Sequence, residues 1–165
     1  MPGLRLDQCY QVLKPVNLEP VLAILDRLHF VVVNQGSTEV NKTPARIVKP
    51  DKFPTELKQL IAGLGLGGRA GRHMIRELKP RQGIAPHVDA WMPSEVNWRR
   101  FQLPLTSHPD IVMRWPDDGV SLHLEPGFLY EIRYDRVHEV VHGADVPRLH
   151  LQLDQNNQYH IRSQF

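Results

Sequence analysis

Cysteine is nearly absent from this sequence, Cys9 being the single one among 165 residues. One thiol excludes an intramolecular disulfide framework and any zinc or iron–sulfur cluster held by several cysteines, so a bound metal would need His, Asp or Glu ligands. Long apolar runs are missing too. The longest, near Phe30 to Val33, falls far short of the roughly 20 residues that cross a bilayer, and the first residues lack the charged, apolar and small-residue order of a cleavable leader. A soluble protein of the cytoplasm with no membrane partner is therefore expected. Charge of one sign is also scarce, since 20 basic and 18 acidic side chains leave a formal net charge of +2. That is too little to argue for a nucleic-acid partner. The local cluster Arg69, Arg72, Arg76, Lys79 and Arg81 reads as a solvated face, and a nucleic-acid-modifying role would rest on it alone.

Punctuation, by contrast, is plentiful: 14 prolines and 11 glycines accompany 41% hydrophobic and 23% charged residues. This composition suits one compact, turn-rich domain over residues 1–165. Leu4 to Leu13 alternates as a strand, and Leu18 to Phe30 carries Val21, Leu22, Ile24, Leu25 and Leu28 at helical spacing. Gln35 to Lys52 is polar, with Gly36, Pro44 and Pro50, and reads as a long loop or an irregular hairpin. Pro54 to Leu64 predicts a second helix with Leu57, Leu60, Ile61 and Leu64 on one face. Beyond Arg72, short strands follow one another: His73 to Leu78, Ala85 to Trp91, Arg100 to Thr106, Asp110 to Trp115, Val120 to Leu124, Phe128 to Tyr134, His138 to His142 and Pro147 to Asp154. Such spacing points to an antiparallel sandwich or jelly roll. Residues to about 70 would form a β/α region whose helices brace one outer face of the core, and about 71–156 the core itself.

Two motifs invite a chemical reading. The run Gly63-Leu-Gly65-Leu-Gly67-Gly68 satisfies a GxGxxG pattern, but a helix precedes it and a strand follows, so no helix N-terminus is offered to a phosphate and the glycines read as a turn. The other motif is Pro86-His87-Val88-Asp89. Residues two apart on a strand share a face, so His87 and Asp89 can present adjacent ligands to one metal, with His138 as a third from another strand. Two histidines and a carboxylate leave the remaining positions of an octahedral ion open, the arrangement of non-haem Fe(II) oxygenases. Downstream, Arg-Leu-His-Leu-Gln-Leu-Asp alternates strictly, with Leu149, Leu151 and Leu153 on one face and Arg148, His150 and Gln152 on the other. Arg148 could grip a buried carboxylate through its planar fork, or form a salt bridge to Asp145 or Asp154.

Through these residues the chain resembles the aspartyl/asparaginyl β-hydroxylase family of Fe(II)/2-oxoglutarate-dependent dioxygenases, which includes free-proline hydroxylases. The matching stretch runs from about Met74 to Asp154 and takes in Pro86-His87-Val88-Asp89, Arg100-Phe101-Gln102-Leu103-Pro104-Leu105, Leu124-Glu125-Pro126-Gly127-Phe128-Leu129-Tyr130-Glu131, His138-Glu139-Val140 and Arg148-Leu149-His150-Leu151. The resemblance implies a mainly β fold, a double-stranded β-helix (jelly roll, cupin-like) with flanking N-terminal helices. It implies His87, Asp89 and His138 as iron ligands and Arg148 as the arginine holding the far carboxylate of 2-oxoglutarate. Arg100 stands where some members place a second arginine for this co-substrate, and Gln102 where some have an assisting histidine. Asp89 places the chain with the members that keep an acidic ligand. The implied reaction hydroxylates an unactivated C–H of an amino-acid side chain in a protein, peptide or free amino acid, consuming O2 and 2-oxoglutarate and releasing succinate and CO2.

His150, on the face of Arg148, is placed in the co-substrate pocket, whereas His142, two strand repeats from His138, is not read as a ligand. Gln35 to Lys52 and Ala90 to Trp98 are the candidate lids. Within the second, Trp91, Met92 and Trp98 are either substrate contacts or packing beside the strand. Two other readings compete: a cupin-like metal protein of different activity, which has no need for a dicarboxylate clamp, and a non-catalytic jelly-roll binding module.

Overall fold

The computed structural model describes Arg5 and residues 8–33, 45–89 and 98–156. Its elements are, in order, β1 (Tyr10–Pro15), α1 (Glu19–Leu22), β2 (Val31–Val33), β3 (Ala45–Val48), α2 (Thr55–Gly63), β4 (Arg69–Leu78), β5 (Ile84–His87), β6 (Trp98–Thr106), β7 (Ile111–Trp115), β8 (Val120–Leu122), β9 (Phe128–Ile132), β10 (His138–His142) and β11 (Arg148–Asn156). They build a seven-stranded sheet ordered β1-β9-β6-β11-β4-β3-β2 and a four-stranded sheet ordered β5-β10-β7-β8. Every pairing described is antiparallel. This is the jelly roll expected from the sequence.

Period-two alternation assigns the faces of the large sheet. Ile75, Phe101, Leu103, Leu151 and Leu153 point outward and pack with Val21 of α1 and Leu57 of α2 in one apolar cluster. The helices therefore brace the outer face, and burying these side chains is what holds them there. The opposite residues of the same strands, Arg76, Arg100, Gln102, Arg148, His150 and Gln152, face the small sheet and line a cavity between the two sheets. Apolar side chains complete its lining: Met113, which belongs to one apolar cluster with Trp115 and Tyr130, and Leu78, Ile84 and Val140 from another.

Several boundaries differ from the expectation. The first strand begins at Tyr10 and runs on to Pro15, where it pairs with β9. The helix expected over Leu18 to Phe30 is one α turn followed by a 3-10 turn at Leu25–Arg27, because Ile24 leaves helical geometry at φ −123° and ψ 9°. The segment still buries apolar side chains, Val21 in the α turn and Leu28 just after the 3-10 turn among them. Of the Gln35 to Lys52 segment, the described part resolves the choice in favour of a hairpin, since β3 pairs with β2 across residues 34–44 and with β4 on its other side. The glycine-rich run ends α2 and turns into β4, with Gly65 at φ 67° and Gly68 at φ 88°. Those left-handed conformations suit glycine. β4 consequently starts at Arg69, four residues ahead of the expected His73, and β5 ends at His87, so Asp89 lies just past the strand.

Candidate metal centre

His87 and His138 are cross-strand partners in β5 and β10. Their rings tilt against each other at 50° with centroids 4.4 Å apart. Asp89 is fastened beside them by its backbone, whose N–H donates to the Tyr134 carbonyl at 3.2 Å. Its Oδ1 lies 3.5 Å from His87 Nε2 and its Oδ2 3.7 Å from His138 Nε2. One possible ligand atom from each of the three residues falls within 4.8 Å of the others, the one such group among the described residues. The spacing that predicted a shared face thus delivers the convergence, although Asp89 reaches it from a loop.

The orientation of each histidine follows from a second contact. Nδ1 of His87 lies 2.8 Å from the Ala85 carbonyl, and Nδ1 of His138 lies 2.8 Å from the Arg136 carbonyl. A carbonyl oxygen only accepts, so Nδ1 of each ring carries the proton, and Nε2 is the nitrogen turned toward Asp89. Each ring is thereby set by the carbonyl two residues earlier in its own chain, the support that metal-binding histidines ordinarily have. Electrostatics agree. Burial pushes Asp89 up, but the His87 hydrogen bond and the charge of Arg100 outweigh it and hold the carboxyl well below its usual range. Asp89 raises His87, while burial lowers His138.

Arg148 lies in the same cavity, 5% exposed. The salt bridges considered for it from the sequence do not form, because Asp145 pairs with Arg81 and Asp154 with Arg100. Its polar contacts are to the His150 ring, and no carboxylate faces it among the described residues. Burial and the nearby charge of Arg76 push it down to about 9, so it is still a cation at neutral pH. His150 is buried and held well below the ordinary imidazole value, by burial first and then by Arg148. It is therefore neutral, and its Nδ1 lies 2.7 Å from Gln102 Oε1. Gln102, His150 and Arg148 form one connected polar strip along the cavity wall.

Arg100 is placed differently from Arg148. Its guanidinium meets Asp89 on one side and Asp154 on the other. Trp98 lies near the start of β6 with its ring laid against Gly71, and its carbonyl accepts the Tyr134 hydroxyl at 3.1 Å. Trp91 and Met92 fall outside the described residues, as does most of the Ala90 to Trp98 segment.

Sequence reasoning misplaced Arg76, which was grouped with a solvated basic face. Arg69, Arg72, Lys79 and Arg81 are exposed, but Arg76 lines the cavity and burial pushes it down to about 10. Alternation along β4 from the buried Met74 and Leu78 would have turned it inward. His142 shares the buried face of β10 with His138 yet stands outside the ligand group, as expected.

The donor set fits iron. Two imidazole nitrogens and one carboxylate in a cavity suit Fe(II), and a buried cation that faces no carboxylate among the described residues suits a dicarboxylate co-substrate.

No family model matches the chain, and no curated protein matches it. Solved structures do. A 2OG-Fe(II) oxygenase family oxidoreductase from Burkholderia pseudomallei is similar at TM-score 0.65 and 15% identity, over 89% of this chain and 85% of that one. The non-haem alpha-ketoglutarate-dependent carbocyclase SnoK of nogalamycin biosynthesis is similar at TM-score 0.64 and 16% identity, over 92% and 80%. A prolyl hydroxylase from Trichoplax adhaerens, solved with a peptide fragment of a hypoxia-inducible factor, is similar at TM-score 0.61 and 13% identity, over 95% and 87%. At these identities the likeness is one of architecture: the chain has the jelly-roll fold that these 2-oxoglutarate-dependent proteins share.

Proposed function

We propose that the protein is an Fe(II)/2-oxoglutarate-dependent dioxygenase, related to the aspartyl/asparaginyl β-hydroxylases, that hydroxylates an unactivated C–H of an amino-acid side chain. One observation carries the reading: the His87, Asp89 and His138 donors converge in the cavity that also buries Arg148, with no carboxylate facing it among the described residues. Bound there, Fe(II) with 2-oxoglutarate and O2 supplies the oxidising chemistry that converts the co-substrate to succinate and CO2 and inserts oxygen into the C–H bond.

The chain's own residues do the rest. His87 and His138 aim Nε2 into the site because Nδ1 of each ring is held on a backbone carbonyl. Arg148 pairs with the far carboxylate, and its burial strengthens that pairing by excluding water. His150 remains neutral and so adds no competing charge, while Gln102 accepts from its Nδ1–H and fixes the ring. The substrate is an amino acid, or a peptide or protein bearing it, and the acceptor side chain is left open.

Anaerobic titration of the apoprotein with Fe(II) and then 2-oxoglutarate tests this reading through the weak visible charge-transfer band of the chelate. The band is expected in the wild type and is expected to vanish in His87→Ala and Arg148→Ala. Folded, iron-loaded protein that gives no band with 2-oxoglutarate overturns the dioxygenase reading in favour of a cupin-type metal protein.

A further inference from the structure

Arg100 occupies a position where the family resemblance implies a second co-substrate arginine, but its surroundings argue for another task. Its Nε donates to Asp154 Oδ1 at 2.8 Å and its Nη2 to Asp154 Oδ2 at 3.1 Å. This is the parallel two-point grip that fixes a guanidinium plane. Asp154 is fully buried and also accepts from Gln152 Nε2 at 3.3 Å. The fork is placed by the sheet itself, because Arg100 and Asp154 are direct cross-strand partners in β6 and β11. From that fixed plane the remaining nitrogen, Nη1, reaches Oδ2 of Asp89. The guanidinium carbon also sits 5.6 Å over the ring of Tyr134, whose carbonyl holds the Asp89 backbone.

We infer that Arg100 is a positioning residue for the metal centre: anchored by Asp154, it ties down Oδ2 of Asp89 so that this carboxylate offers the metal a single oxygen, Oδ1. The inference rests on the proposed metal site and deepens it. Asp89 lies beyond the end of β5 and precedes a long connection, so its strand does not set its side-chain direction. A carboxylate left free to turn could bind through both oxygens and occupy a position that co-substrate or O2 needs. The buried sequence Asp154–Arg100–Asp89 removes that freedom. It also matches the charge of Arg100 with two carboxylates, whereas Arg148 faces none. Of the two arginines, only Arg148 is then available to the co-substrate.

Cobalt(II), a spectroscopic probe for a His/Asp site, gives the test. Wild type, Arg100→Lys and the double variant Arg100→Gln/Asp154→Asn are titrated with Co(II) by visible absorption, after circular dichroism has confirmed folding. The double variant removes Asp154 together with Arg100, so Asp154 is not left as an unmatched carboxylate in the core, and it keeps the comparison usable where Arg100→Lys fails to fold. Loss of the outer support is expected to weaken Co(II) binding by about 10–100-fold. The affinity of Co(II)-saturated protein for 2-oxoglutarate is expected to stay close to that of the wild type, and Arg148→Met is expected to show the reverse pattern. Folded variants that bind Co(II) as tightly as wild type, or that keep the metal but lose 2-oxoglutarate as Arg148→Met does, overturn the inference while leaving the proposed function standing. A wild type that binds no Co(II) or Fe(II) overturns both.

Discussion

Arg148 concentrates the conflict between stability and function in one side chain. It is a buried cation whose nearest polar partner is a neutral imidazole, and the charge of Arg76 opposes it. Replacing a buried charge by an apolar side chain of similar length is often neutral or stabilising, so Arg148→Met is expected to raise the melting temperature of the apoprotein. In the proposed function Arg148 pairs with 2-oxoglutarate, and the same change is then expected to cost about 2–5 kcal/mol of its binding. Calorimetric melting and 2-oxoglutarate titration of the iron-loaded variant check the two halves. A lower melting temperature would mean that the Arg148–His150 contact, and not the co-substrate, is what the arginine serves.

At the scale of elements, the pairing of β5 with β10 carries the candidate metal centre, since it places His87 opposite His138. Their approach depends on Gly83, just before β5. A Cβ there would lie 2.6 Å from the Val140 carbonyl oxygen, a backbone atom of β10 with no rotamer to give way. Gly83→Ala is thus expected to push the two strands apart, destabilising the protein by about 1–3 kcal/mol and loosening the metal site. Urea unfolding and Fe(II) affinity measured on the same variant test this, and an unchanged midpoint would show that β10 yields without strain. The irregular register between His138 and Val140 falls at this contact. The connection after β5 is where local pattern was weakest as a guide, because Asp89 is held by Tyr134 and Arg100 and not by a strand of its own.

For the molecule as a whole, buried histidines set the response to acid. His150, His138 and His142 are all lowered, burial being the first cause for each. In the unfolded chain they return to the ordinary value of 6.5. Above that pH they are neutral in both states. Below it the unfolded chain takes up protons that the folded chain refuses, so stability is lost as pH falls from about 6.5 toward the depressed folded values, by up to ~1.4 kcal/mol per pH unit for each group. His150→Gln removes one such group while keeping hydrogen-bonding capacity. Its melting temperature is expected to fall less steeply than that of wild type between pH 7 and 5, and parallel curves would show that His150 is not neutral in the fold.

Local pattern was enough for the jelly roll and for grouping His87 with Asp89. Period-two alternation sorts Leu149, Leu151 and Leu153 from Arg148, His150 and Gln152 without any partner strand, and the two-residue offset of His87 and Asp89 is short enough to hold through the end of β5. Of the helices that cover the outer face, α2 was legible because its apolar positions repeat at helical spacing, whereas the same spacing over Leu18 to Phe30 gave only short turns. What only the tertiary structure decided is pairing between distant segments: Asp154 meets Arg100 and not Arg148, although 54 positions separate the true partners and six the false ones. Cross-strand register is set by packing across the whole sheet, and alternation along one strand says which face a residue takes but not which residue stands opposite. Arg76 is different: the alternation of β4 from Met74 to Leu78 already turned it inward, and the basic residues around it in the sequence hid that. Charge type and strand face were properties of the sequence, whereas the match of each charge to its neighbour belonged to the fold.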